Sequence, residues 1–358
     1  MPRPETSAPI RSRTVATVAE GMAVRLDAPR DRGAWLGVIA RQRELSLVAI
    51  MVVLGALVSL AAPQFLTVDN ISQVAVLASI VAVAAVGEAL VVITRNVDLS
   101  VEAMMGLVAY CVAVSLENQM FGAPGSILFG IGIGLLLGMI NGFIVAVLRV
   151  PAIVATLGTL SIFRGIDYLI AGSHQVPKAG LPPGFTDAAH QDILGIPIFV
   201  LVAIIVVVIG SVLLRWTKFG RQFYAVGSNP EAAAILGIPS RLVVFVAFSL
   251  CGLLAGVAGV MYVIEFGTIN GTSAGGYTLQ VVAAVVVGGV GIFGGTGTLA
   301  GAALGALFLG FIANALILVG LSQFWLQAIY GLVILIAVSA DAMILRRLHR
   351  AATLNRSR

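Results

Sequence analysis

The sequence predicts an all-α protein that crosses a membrane about ten times. Of its 358 residues, 59% are apolar and only 10% are charged, and the mean hydropathy is +1.06. A soluble domain carries about 25% charged residues, so this chain needs lipid around it. Ten apolar runs have roughly the length that spans a bilayer, and the eighth is short enough to be a broken span. They are Leu45–Ala62, Ile71–Thr94, Leu99–Leu116, Ile127–Leu148, Ile153–Ala171, Ile198–Leu214, Leu242–Ile264, Leu279–Val290, Leu299–Val319 and Trp325–Leu345.

The polar segments outside these runs define the expected domains. We interpret residues 1–43 as an arginine-rich, disordered cytoplasmic tail, because the first apolar run starts too late and is too long for a secretory signal. Residues 44–346 form the membrane domain, with a cytoplasmic loop at 215–241, and residues 347–358 form a second basic tail. The first tail could be regulatory, could bind anionic lipid heads, or could be inert.

The basic residues indicate the orientation of the chain. If the amino terminus is cytoplasmic and the chain crosses ten times, 19 of the 21 lysines and arginines face the cytoplasm. Lys178 alone falls outside, and Arg164 falls within the fifth run. This distribution follows the positive-inside rule, so both termini are expected in the cytoplasm.

Two sets of glycines recur every four residues, one in the fourth run and one at the ninth. Small residues at this spacing let neighbouring helices approach closely in lipid. The two runs are five apart and therefore cross in opposite directions, which predicts two inverted half-repeats of about five helices. Independent packing glycines would be an equally good explanation. The sets are Gly134, Gly138 and Gly142, and Gly297, Gly301 and Gly305.

The cytoplasmic loop contains the pattern of a short helix of about two turns. An asparagine is a good amino-terminal cap, and the proline and glutamate after it suit the first turn. Alanines continue the helix, and a glycine before Pro239 ends it. So short a helix needs a docking surface, on its own bundle or on another subunit. Its residues are Asn229, Pro230, Glu231, Ala232, Ala233 and Gly237.

These features resemble a known family. Glu231-Ala-Ala followed by Gly237 is similar to the coupling motif of ABC importer permeases. Five further stretches resemble the ribose-type sugar permeases, which include rhamnose and autoinducer-2 transporters, and they follow in the expected order over about residues 45–345. The stretches are Thr94–Val101, Val150–Thr159, Phe163–Gly165, Gly220–Gly227 and Gly288–Gly295. Glu102 departs from the family, which usually has a small residue there.

The resemblance implies a permease that takes a small sugar, such as ribose or rhamnose, across the bacterial inner membrane. It implies three partners: a cytoplasmic ATPase subunit, a periplasmic or lipid-anchored sugar-binding protein, and a second permease chain, identical or paralogous. No cofactor is expected. The chain is not expected to be an enzyme, because it has no phosphate-binding loop and no paired nucleophile and base. Its histidines and cysteines have no metal-ligand spacing.

Polar residues within the apolar runs are candidates for a translocation pathway, since such residues are costly in lipid. Arg164 and Asp167, three apart, are expected to pair with each other. Glu102 could stabilise a helix amino terminus or line the pore. The candidate pathway residues are Glu88, Asn141, Thr156, Thr159 and Asn314.

Two other functions remain open at this point. The buried carboxylates would suit a secondary transporter driven by protons, which would need no ATPase. The same class of permease could instead carry a branched-chain amino acid or a nucleoside. The sequence does not discriminate among pentoses, deoxyhexoses and related signalling molecules.

Overall fold

In a computed structural model, which describes residues 43–322, 324–336, 338–339 and 343, the chain is helical almost throughout. The two tails predicted at 1–43 and 347–358 lie outside these residues except for position 43. The described α-helices are α1 Arg43–Ala61, α2 Val68–Ile93, α3 Val101–Glu117, α4 Ala123–Gly142, α5 Ala152–Ala171, α6 Ile198–Trp216, α7 Lys218–Ser228, α8 Pro230–Ile235, α9 Ser240–Phe266, α10 Tyr277–Val287, α11 Leu299–Leu318 and α12 Trp325–Ile336. The fold class is therefore confirmed as all-α.

Each of the ten apolar runs contains one helix, and these helices differ in length. Among the described residues, seven helices are long and apolar enough to cross a membrane: α1, α2, α4, α5, α6, α9 and α11. α4 reaches this length with a π-helical turn at Phe143–Val147. The eighth run forms only the 11 residues of α10, which span about 16 Å, or roughly half of the hydrocarbon core.

Short elements fill the connection between α5 and α6. Two 3₁₀ turns, Lys178–Gly180 and Thr186–His190, precede a small antiparallel hairpin of β1 Asp192–Ile193 and β2 Ile196–Pro197. A further 3₁₀ turn at Pro63–Leu66 links α1 to α2. Because α6 runs from this hairpin to α7, the hairpin and the α7–α8 segment lie at opposite ends of the bundle.

α2 and α9 form the centre of the bundle. α2 is buried over almost its whole length and packs against α6, α9, α10 and α11, while α9 packs against α3 and α4 as well. α1 and α6 are mostly exposed and present aliphatic side chains outward. This arrangement fits a lipid environment, in which apolar residues need no burial.

The packing partners follow the pattern that two half-repeats predict. If α2, α3 and α4 correspond to α9, α10 and α11, each contact between these helices should have a counterpart in the other half. The counterpart of the α4–α9 contact is then the α11–α2 contact. Likewise, the α3–α9 contact corresponds to α10–α2, and the α3–α4 contact corresponds to α10–α11. All of these contacts are present. The helix contacts are therefore consistent with two half-repeats in which α4 and α11 occupy matching positions.

Glycines bring α4 and α9 into backbone contact. A Cβ atom at Gly134 would lie 2.5 Å from the carbonyl oxygen of Gly252, and one at Gly138 would lie 2.8 Å from its Cα. Gly142 of α4 likewise lies against Phe245 of α9. Such close approach is available only to glycine, so the glycine face of α4 is the α9 interface.

The second glycine set does not lie on one helix face, although its four-residue spacing predicts that it does. Gly301 and Gly305 lie on α11 and contact α10 at Gly288 and Ala284. Gly297 precedes α11, has a φ of +119°, and packs against Val290. That backbone conformation is open mainly to glycine, so Gly297 shapes the loop and not the helix face.

A pair of glycine substitutions on α4 tests the close contact. We expect Gly138→Ala to lower the free energy of unfolding by about 1–3 kcal/mol through overpacking. Gly132→Ala is the matched control, because no described atom lies within 4 Å of a Cβ at that position. Thermal unfolding in detergent measures both variants, and equal melting temperatures would contradict the packing described here.

Candidate functional site

The segment between α6 and α9 forms two short helices that meet at Asn229. The Asn229 side chain accepts a hydrogen bond from the Ala232 N–H at 3.0 Å, which caps α8 as the sequence predicts. Gly237 has a φ of +73°, and its N–H donates to the Ala234 carbonyl at 3.0 Å. α8 is therefore closed at both ends by its own sequence.

α7 was not predicted from the sequence. It begins at Lys218, where the Thr217 hydroxyl accepts a hydrogen bond from the Gly220 N–H at 2.8 Å. Phe223 and Val226 are buried on one face of the helix, with Phe219 packed against Phe223. This helical spacing of apolar residues was the available signal, and Gly220 and Gly227 obscured it.

α7 connects α8 to the core of the bundle. The Tyr224 hydroxyl donates a hydrogen bond to the Gly297 carbonyl at 3.0 Å, and burial raises the pKa of this phenol, which keeps it protonated. In the same loop, the Gly295 N–H donates to the Ile93 carbonyl at the end of α2 at 2.9 Å. The loop before α11 is thus held between α7 and α2.

α8 carries an exposed aliphatic surface. Ile235 and Leu236 are 86% and 77% exposed, whereas Ala233 is buried against the bundle. Glu231 is also exposed, in the first turn of the helix. α8 thus presents two adjacent large aliphatic side chains and one carboxylate away from the bundle.

A buried polar cluster joins the ends of α2 and α4 to the loop before α3. Glu88 accepts a hydrogen bond from the Asp98 N–H at 3.0 Å. Asp98 accepts from the Ser100 hydroxyl at 2.6 Å and from the Asn141 amide at 3.1 Å. The same amide also donates to the Ser100 oxygen at 2.8 Å. Glu88, Asp98, Ser100 and Asn141 are all fully buried, and their hydrogen bonds hold this turn of the chain in place.

The other candidate pathway residues also make hydrogen bonds within the chain. Thr156 donates to the Ala152 carbonyl at 2.9 Å, and Thr159 donates to the Thr156 carbonyl at 3.3 Å. Asn314 on α11 forms two amide–amide hydrogen bonds with Asn70 on α2, each 2.9 Å long. The structure therefore brings Glu88 and Asn141 together and leaves Asn314 in a separate contact.

A second polar cluster lies where α3 and α10 begin. The Glu102 carboxylate accepts hydrogen bonds from the Gly276 N–H at 2.9 Å and the Thr278 N–H at 3.2 Å. In return, the Thr278 hydroxyl accepts one from the Glu102 N–H at 3.2 Å. Glu102 and Thr278 are each the second residue of their helix, so the two helices cap each other across the half-repeats.

Arg164 on α5 completes this cluster. Its guanidinium lies 3.6 Å from the carboxylates of both Glu102 and Asp167, and it donates to the Ser273 carbonyl at 2.9 Å. The expected pairing of Arg164 with Asp167 is thus present, and Glu102 joins it. We call Glu102, Arg164, Asp167 and Thr278 the junction cluster.

The connection between α5 and α6 is tied to the ends of two other helices. His174 contacts Glu117, at the end of α3, at 2.8 Å, and His190 lies 4.0 Å from Glu265, near the end of α9. A β-bridge joins Val176 to Ile269. The loop therefore closes the end of the bundle opposite α8.

The apolar bundle, the internally capped half-length helix and the capped helix at one end define a polytopic membrane transport subunit. The chain belongs to the family described as "Branched-chain amino acid transport system / permease component", whose model matches residues 70–338. Its relatives include proteins named autoinducer 2 import system permease protein LsrC. The one from Enterobacter sp. (strain 638) is 38% identical over 87% of this chain and 90% of its own length. The one from Escherichia coli (strain K12 / DH10B) is 36% identical over the same shares, and the one from Salmonella typhi is 38% identical over 81% and 82%.

No solved structure matches the chain. The family membership inferred from the motifs is confirmed: the chain is an ABC importer permease and a multi-pass inner-membrane protein. Members of this family are transport subunits and not enzymes, and a partner subunit hydrolyses ATP.

Replacing the amide at the centre of the first polar cluster tests its role. Asn141→Leu removes the donor to Asp98 and Ser100, and we expect it to lower the free energy of unfolding by about 2 kcal/mol. Asn118→Leu is the control, because Asn118 is an exposed amide at the end of α3. Thermal unfolding in detergent compares them, and an unchanged melting temperature for Asn141→Leu would show that the cluster does not stabilise the fold.

Proposed function

We propose that this chain is the permease subunit of an importer for autoinducer 2 or a related small sugar-like solute. The observation that carries the proposal is the similarity, at 36–38% identity over most of both chains, to proteins named as permeases of autoinducer 2 import. The motifs that resemble sugar permeases agree with this cargo. Ribose and rhamnose are the further solutes to compare.

In this proposal, α8 is the helix that docks on the ATPase subunit. Asn229, Pro230 and Glu231 start the helix, Ala232 and Ala233 continue it, and Gly237 ends it. Ile235 and Leu236 supply the apolar contact, since they are exposed and adjacent. Because α7 connects α8 to α2 and to the loop before α11, a displacement of α8 would move the core of the bundle.

A second permease chain, identical or paralogous, would pack against the open face of α5. Gly158 and Gly165 on this helix have no described atom within 4 Å of a Cβ position, and Ser161 and Tyr168 are exposed on the same face. Small and hydroxyl-bearing residues suit a contact between helices of two chains, and the path would run along this face. Thr156 and Thr159 lie just behind this face.

The remaining candidate pathway residues would support the helices around the path without lining it. Glu88 and Asn141 fix the turn between α2 and α3, and Asn314 fixes α11 to α2. In this orientation, both termini and α8 are cytoplasmic. The loop between α5 and α6 is then the surface that meets a sugar-binding protein.

The family description leaves a branched-chain amino acid as the second candidate cargo. Competition for uptake distinguishes the two classes of cargo in vesicles that contain the whole complex. We expect excess D-ribose or autoinducer 2, and not leucine, to reduce the uptake of labelled autoinducer 2. Inhibition by leucine alone would favour the amino acid.

The docking role of α8 predicts which substitutions release the ATPase. Ile235→Asp and Leu236→Asp should each reduce recovery of the ATPase with the purified chain at least tenfold, because a buried unpaired charge is costly. Leu194→Asp is the matched control, since Leu194 is 98% exposed at the hairpin tip, at the other end of the bundle. Quantitative mass spectrometry of the purified complex is the readout. Equal recovery from all three variants would remove α8 as the docking helix.

A further inference from the structure

Arg95 occupies a turn at the end of α2 that usually contains glycine. Its N–H donates a hydrogen bond to the Val92 carbonyl at 2.8 Å. The next N–H, of Asn96, donates to the Val91 carbonyl at 3.2 Å, and the two bonds together form a Schellman motif. Arg95 has the positive φ that this motif requires, +68°, and a residue with a Cβ atom is strained in that conformation.

The same motif ends three other helices with glycine at the turn. Gly237 follows α8, Gly289 follows α10 and Gly320 follows α11, each with a positive φ and the same pair of hydrogen bonds. Among the described helices, α3 is the other one that ends in this motif with a side chain at the turn, that of Gln119. Glycine is therefore the usual residue at this turn in the chain, and Arg95 departs from it.

The Arg95 guanidinium makes no polar contact that would explain its presence at a strained position. The side chain is exposed, and it forms no hydrogen bond or ion pair with the part of the chain that the structure describes. Strained residues that the fold itself does not need are concentrated at functional sites. The advantage of arginine at this turn is therefore expected to come from a group outside this chain.

Backbone contacts hold Arg95 beside the start of α8. A Cβ atom at Gly294 would lie 2.8 Å from the Arg95 Cβ and 2.9 Å from the Gly227 carbonyl oxygen, so no side chain fits between them. A Cβ atom at Gly295 would lie 2.7 Å from the Cα of Ser228. Gly227 and Ser228 are the last residues of α7, directly before the residue that caps α8. Arg95 and α8 therefore belong to one surface, and close glycine contacts fix their relative positions.

The position of Arg95 favours a protein partner over a lipid headgroup. α2 is a central helix, with α6, α9, α10 and α11 packed around it, so its end at Arg95 lies in the middle of this surface. The end of α6, a mostly exposed helix, carries the exposed cations that are placed to meet headgroups, Arg215 and Lys218. A guanidinium away from the lipid suits a carboxylate of a subunit that covers the surface.

We propose that Arg95 is a second contact for the ATPase subunit and pairs with a carboxylate beside the site where α8 docks. This proposal rests on the proposed docking of α8, with which Arg95 shares a surface. Ile235 and Leu236 supply the apolar contact, and Arg95 adds charge-assisted hydrogen bonds that fix the orientation of the ATPase. The contact reaches the end of α2 directly, without passing through α7.

The test measures the dissociation constant of the ATPase subunit for the full chain in lipid nanodiscs, at low salt and at about 1 M salt. Arg95→Gly removes the guanidinium and relieves the backbone. We expect it to raise the dissociation constant about tenfold at low salt, while the melting temperature of the chain stays equal or rises. The difference from the wild type should shrink at high salt, because salt screens the ion pair. Arg95→Lys keeps the charge and should weaken binding less than Arg95→Gly.

Gln119→Gly is the matched control, because Gln119 is exposed at the same turn of the same motif, at the other end of the bundle. It should leave binding of the ATPase unchanged. Unchanged binding by Arg95→Gly, or weaker binding together with a lower melting temperature, would overturn the role of Arg95, while weaker binding by Ile235→Asp would still support α8. Unchanged binding by Ile235→Asp would instead reject α8 as the docking helix and this proposal with it, which distinguishes the two failures.

Discussion

The structure depends on one constraint: a backbone that is not helical at membrane depth must find its hydrogen-bond partners inside the protein. α3 and α10 both begin within the bundle, and their first N–H groups would otherwise be unpaired. Glu102 and Thr278 meet this need reciprocally, each from the second position of its own helix.

A continuous route of contacts leads from α8 to the junction cluster. α7 joins α8 to the loop before α11, and that loop is hydrogen-bonded to the end of α2. From α2, Glu88 contacts the turn that precedes α3, and α3 carries Glu102. The surface proposed to meet the ATPase and the junction cluster are thus linked by packed and hydrogen-bonded residues.

Local signals made most of the fold predictable. Each of the ten apolar runs contains a helix, and Asn229 and Gly237 marked the two ends of α8, because these effects act within a few residues. α7 was missed because its two glycines outweighed its apolar spacing. Gly297 was assigned to a helix face because a repeat of four does not reveal where a helix starts.

The candidate site was less predictable, because its contacts join distant parts of the chain. Arg164 and Asp167 could be paired from sequence, as they lie three apart on one helix. Glu102 was expected to stabilise a helix amino terminus or line the pore, but its partners Gly276 and Thr278 lie 174 and 176 residues away. No local pattern connects such positions; only the half-repeat symmetry could have suggested that α3 and α10 meet.

Uptake of labelled autoinducer 2 by proteoliposomes tests the central claim most directly, with the purified complex in one set and this chain alone in the other. As an ABC importer permease, the chain should transport only in the complex, only with ATP, and independently of a pH gradient. Uptake by the chain alone under a pH gradient, without ATP, would contradict the account and identify a proton-driven transporter.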